Sequence, residues 1–106
     1  MPFETQPEPP PALQRALALL NQQLGTNLML ADLSAWRSLE KVYNDASLGC
    51  PQSQRRYAQV ITRGYQFLLT YQGITYDFRS NQHGSNVFLC RNFPAADGGD
   101  NERALL

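Results

Sequence analysis

Cys50 and Cys90 are the chain's two thiols and His83 its single histidine. These are the residues from which nucleophilic, redox or metal chemistry would have to be built. Two thiols and one imidazole fall short of the four ligands of a structural zinc site, so no metal and no cofactor are expected. A Cys–His nucleophile pair needs a third group to orient the ring, whereas His83 stands in a Gln82-His83-Gly84 turn. Asp77, the carboxylate nearest in sequence, reads as structural. The chain has no glycine-rich phosphate loop and no paired-carboxylate motif. It therefore reads as non-enzymatic, with no catalytic residue assigned. The cysteines have two readings, a disulfide in an oxidising compartment or two small buried thiols, and both stay open at this point. Arg55, Arg56 and Arg63 border Tyr57 and Tyr65, residue types enriched where proteins recognise one another. They are the candidate contacts for a partner; the alternative is a solvated rim.

These residues are carried by a pattern of one helix followed by strands. Leu13, Leu17, Leu20 and Leu24 fall on one stripe of a helix from about residue 11 or 12 to 24. Pro11 suits its first turn, and Gly25 ends it. The stretch 26–45 is ambiguous, with Ala31 to Glu40 readable as strand or helical turn, and a strand is expected near 37–43. Residues 46–56 form a loop, and 57–62 a short strand or turn leading to Gly64. Tyr65, Phe67, Leu69 and Tyr71 alternate with more polar neighbours, as do Ile74, Tyr76 and Phe78 up to residue 79. Gln72-Gly73 between them is a two-residue hairpin turn. Val87-Phe88-Leu89-Cys90 is the last strand. The fold class expected is α+β, one N-terminal amphipathic helix packed on an antiparallel four-stranded β-meander with one apolar and one partly wet face.

With 106 residues there is room for one core. Residues 1–11 read as a flexible proline-rich arm, 12–93 as the single domain and 94–106 as a disordered tail. Nine basic and nine acidic side chains cancel, which removes the long-range attraction nucleic-acid binding relies on. No apolar run approaches the roughly 20 residues that span a bilayer. The N-terminus lacks the basic and apolar regions of a secretory signal, so a cytoplasmic location is expected.

The segments Tyr43 to Gln52 (ending Leu48-Gly49-Cys50-Pro51-Gln52), Tyr57 to Tyr65 and Val87-Phe88-Leu89-Cys90 resemble a small domain of many bacterial proteins with no established activity, often secreted or lipid-anchored. That pattern runs Leu-Gly-Cys-Pro-Gln, a tyrosine-glutamine stretch, Pro-Gly-Tyr, a hairpin and a closing cysteine, and it covers about residues 13–90. Arg63 departs from it, standing where proline is usual. The resemblance favours the disulfide among the two readings of the cysteines. The loop at Cys50 and the last strand also flank the same hairpin, so the two are expected to meet at one edge of the sheet. The order of helix and strands is similar to PepSY-type domains, a likeness of fold that implies no function.

These readings point to a small protein-binding or accessory module that offers a sheet face or the Cys50–Arg63 loop to another protein. A thiol-dependent redox sensor using Cys50 and Cys90 is the alternative.

Overall fold

The computed structural model describes residues 9–95; residues 1–8 of the expected arm and 96–106 of the expected tail lie outside it. Helix α1 spans Pro11–Leu24 with proline in its first turn, and the Gly25 N–H donates to the Asn21 carbonyl. Its buried residues, Ala12, Leu13, Ala16, Leu17 and Leu20, lie on the stripe that the leucine spacing implies. The first part of the ambiguous stretch is a connection with one 3₁₀ turn, Leu30–Asp32, and its later part, Ala35–Tyr43, is the first strand. The Asn21 side chain holds that connection: its Oδ1 accepts from the Leu28 N–H at 2.7 Å and its Nδ2 donates to the Leu28 carbonyl at 2.9 Å.

Four strands follow, β1 (Ala35–Tyr43), β2 (Thr62–Tyr71), β3 (Ile74–Asn81) and β4 (Val87–Pro94), in one antiparallel sheet ordered β1-β2-β3-β4. The β2–β3 hairpin turns on Gln72 at φ 50° and Gly73 at φ 81°, the two positive values of a type I′ turn, whose twist matches the strands it joins. The last strand is longer than the expected 87–90: Pro94 pairs with Ile74, and the Ala95 N–H donates to the Gly73 carbonyl at 2.8 Å. Proline is tolerated there because β4 is an edge strand. Residues 57–61 form no strand, and β2 begins at Thr62.

Helix α1 lies on one face of this sheet. Cross-strand neighbours share a face, so Phe67 beside Phe78 and Leu69 beside Tyr76 form its floor. They join Leu13, Leu17 and Leu20 in the core. The opposite face departs from expectation. Thr75 to Ser80 are all buried, so β3 is dry on both sides rather than wet on one. The cover is the β1–β2 connection. Among the described residues no helix is long and apolar enough to cross a membrane.

Candidate functional site

The β1–β2 connection, residues 44–61, folds into a lobe over the second sheet face. Asp45 starts it: its Oδ1 accepts from the Ser47 N–H at 2.9 Å and from the Ser47 hydroxyl at 2.6 Å. These two bonds hold the Asp45 carboxyl below the usual carboxylate range, the side-chain bond more than the backbone one. Leu48, 1% exposed, is the lobe's apolar plug. Leu48 and Gly49 take positive φ. A Cβ at Gly49 would stand 2.9 Å from the Arg79 guanidinium and 3.3 Å from the Tyr43 ring, so the lobe sits this close only with glycine there.

Beneath the lobe is a polar network on the sheet. Asp77, with no exposed surface, accepts from Arg79 through Nε at 2.9 Å and Nη2 at 3.1 Å, and from Arg91 Nε at 3.0 Å. The Gln66 amide donates to both carboxylate oxygens at 3.2 Å. Burial pushes the Asp77 pKa up, but the Arg79 and Arg91 bonds, the Arg79 charge and the Gln66 bond outweigh it and hold the carboxyl below its ordinary range. Arg79 is raised in turn, chiefly by its bond to Asp77. Arg79 Nη1 donates to the Leu48 carbonyl at 2.7 Å, joining network to lobe. Arg79 also lies 6.0 Å from the centroid of the Tyr43 ring, and the Tyr43 hydroxyl donates to the Tyr65 carbonyl at 3.0 Å. Burial raises the Tyr43 pKa against the opposing pull of Arg79. Among the described residues no buried side-chain nitrogen or oxygen lacks a hydrogen-bond partner. The structural role read for Asp77 thus acquires a mechanism.

The lobe is closed by a disulfide. Cys50 and Cys90 are bonded, with Cα atoms 6.0 Å apart and a sequence separation of 40, so they meet at the β4 edge as expected. The register supplies the reason. Phe78 pairs with Leu89 but Asp77 pairs with Arg91, leaving Cys90 as the extra residue of a β-bulge. Simple alternation would send Leu89 and Arg91 to the same face. The bulge instead keeps Leu89 over the helix-side core and places Arg91 beside Asp77 on the lobe side. The connection leaves β1 at one edge of the sheet, passes over β3, and is fastened to β4 at the other.

The five candidate partner contacts do not form one cluster. Arg55, Arg56 and Tyr57 lie on the lobe, where Arg55 sits 5.7 Å from the Tyr57 ring centroid and the Gln52 N–H donates to the Tyr57 hydroxyl at 2.8 Å. Arg63 and Tyr65 belong to β2, and their register with Val42 and Glu40 puts them on the helix side of the sheet. There Tyr65 stacks on Phe67 at 5.5 Å. A groove of about 490 Å³ runs between the lobe and β4, lined by Ala46, Gln52, Arg55, Tyr57, Phe88 and Leu89 among others. Sequence reasoning missed two further residues, Val60 (56% exposed) and Ile61 (74% exposed). The one available signal was two adjacent β-branched residues in a stretch that does not alternate. His83 is exposed in the β3–β4 turn, and among the described residues no group of three or more His, Cys, Asp or Glu gathers to hold a metal.

The sequence profile of a domain of unknown function, DUF8738, matches residues 13–90. The chain belongs to this family. The DUF8738 match begins in α1 and ends on Cys90, so it takes in the lobe, the Asp77 network and both cysteines. Among curated proteins and solved structures nothing matches the chain.

Proposed function

We propose that this DUF8738 chain is a non-enzymatic protein-binding module whose contact surface is the lobe over residues 44–61. The observation that carries the reading is the contrast between the two sides of the lobe. Its inner side is fixed by Leu48, the Arg79 bond and the disulfide, while its outer side turns Arg55, Arg56, Val60 and Ile61 to solvent. Exposed aliphatic side chains beside arginines on an ordered loop suit recognition, because little order is lost on binding. The Cys50–Cys90 bridge suits work in an oxidising compartment. The PepSY-like arrangement remains a likeness of helix on sheet and adds nothing to the functional reading.

The test compares capture of interacting proteins by the oxidised chain and by an Arg55→Ala/Val60→Ser/Ile61→Ser variant. Tyr57 is left intact because its hydroxyl holds the Gln52 N–H. Specific capture lost in the variant, with an unchanged circular dichroism spectrum, supports the reading; unchanged capture overturns it. The redox-sensing alternative draws on the same bridge and predicts a second state with free thiols. It falls if Cys50 and Cys90 stay unreactive to thiol reagents in native protein across physiological reducing potentials.

A further inference from the structure

We propose that the lobe side of the sheet takes an acidic segment of a partner protein, with an apolar side chain of that segment seated in the groove between Tyr57 and Phe88. This deepens the binding-module reading and rests on it. The chain is neutral as a whole, but among the described residues charge is not evenly spread between the two sheet faces. On the lobe side stand the cations Arg37, Lys41, Arg55, Arg56, Arg79 and Arg91. The register places the first two and the last two there, opposite Leu68, Gly64, Phe88 and Asp77. The described carboxylates on that side are Asp45 and Asp77, so six cations face two anions. On the helix side the described charges are equal in number, Arg15 and Arg63 against Asp32 and Glu40, with no ion pair between them. From Ala46 to Tyr76 the sequence has no acidic residue at all.

The two lobe-side carboxylates are already engaged. Asp77 is shared by Arg79 and Arg91, and Asp45 is bonded to Ser47. Arg37, Lys41, Arg55 and Arg56 form no ion pair among the described residues. A surface of this kind attracts anionic partners and orients them before contact. The choice between polypeptide and nucleic acid follows from the apolar groups. Arg55 lies over one face of the Tyr57 ring, which takes that face from base stacking. The exposed Val60 and Ile61 and the Phe88-lined groove suit aliphatic side chains instead.

Fluorescence anisotropy with the oxidised 106-residue chain tests this with three probes: a twelve-residue peptide of Glu and Leu with Ser spacers, the same peptide with Gln for Glu, and a twelve-nucleotide oligothymidylate. The Glu peptide is expected to bind at about 20 mM salt, where screening is weak, and to bind less tightly at about 200 mM. Loss of two or three exposed ion pairs, each contributing about 1.4- to 5-fold, makes the Gln peptide about tenfold weaker. Arg55→Glu/Arg56→Glu and, on a separate strand, Arg37→Glu/Lys41→Glu should each weaken the Glu peptide comparably. If Glu and Gln peptides bind equally and Val60→Ser/Ile61→Ser abolishes both, the acidic chemistry is overturned while the binding module stands. Binding untouched by every one of these variants overturns both. No binding of either peptide, or tighter binding of the oligonucleotide, overturns the acidic-polypeptide proposal.

Discussion

Replacing both cysteines by serine is the sharpest probe of how the lobe is held. A bridge across a sequence separation of 40 restricts the unfolded chain by about 13 cal/mol/K in the loop-closure model, or about 4 kcal/mol at 25 °C. Against a total stability of about 5–15 kcal/mol for a domain, that is a large share. With a urea slope of about 1–3 kcal/mol per molar, the unfolding midpoint should fall by about 1–4 M. The assay is urea unfolding followed by circular dichroism for the oxidised, reduced and Cys50→Ser/Cys90→Ser proteins, the last two agreeing with each other. Hydrogen exchange supplies a second readout. The Ala46, Leu48 and Cys50 amides donate within the lobe, to Ala58, Asp45 and Ser47, so without the bridge they should exchange faster than the amides of β2 and β3. A midpoint shift below about 0.5 M would refute the entropic account. Equal protection of lobe and sheet in the serine variant would refute the lobe as a unit that opens by itself.

Two further outcomes follow from the interior. Asp77→Asn leaves Arg79 beneath the lobe without its counter-charge, and should cost about 3–5 kcal/mol in chemical unfolding. Because the folded pKa of Asp77 lies below its unfolded value, its contribution is complete above about pH 4. It is lost as pH falls through the folded value, so the acid limb of a stability–pH profile should flatten in Asp77→Asn. On the other sheet face, Leu20→Ala should cost about 2–5 kcal/mol in the same assay, since Leu20 is fully buried in the core with Phe67 and Phe78.

The helix and the meander were legible because both are periodic. Leu13, Leu17, Leu20 and Leu24 repeat at the helical spacing, and Tyr65 to Phe78 alternates on either side of Gln72-Gly73. Such patterns are local, and burial of one face is enough to enforce them. Of what holds the lobe, only the meeting of Cys50 and Cys90 was legible; the rest is singular and distant in sequence, one leucine and one carbonyl bonded to an arginine 31 residues away. Asp77 and Arg79 occupy the polar beats of an alternating strand, which ordinarily marks a wet face. They are dry because each satisfies the other and Arg79 also satisfies the lobe. The bulge at Cys90 escaped for a related reason: two residues opposing one is a property of paired strands, invisible in either strand read by itself. Arg55, Arg56, Tyr57, Arg63 and Tyr65 looked like one cluster because they are near in sequence, yet the strand that begins at Thr62 divides them between the two sides of the sheet.

Biosynthesis meets the lobe in an awkward order. The ribosome delivers Cys50 well before Cys90, by a separation of 40 residues. At about 5–20 residues per second the gap is about 2–8 s. Throughout that interval the lobe has its plug, Leu48, but not the strand to which it will be fastened. Asp77 and Arg79 arrive before Arg91, so the carboxylate meets one of its two arginines first. A nascent chain in this condition shows an unpaired β3 edge and a thiol with no mate, a state open to pairing with the wrong chain. The final strand thus settles two matters on its arrival, capping the sheet and completing the charge balance around Asp77, and it brings the thiol that locks the lobe once an oxidising compartment has taken two electrons from the pair. A protein truncated just short of Cys90 would keep α1 and the first three strands, and it would be expected to leave the ribosome as a client for chaperones.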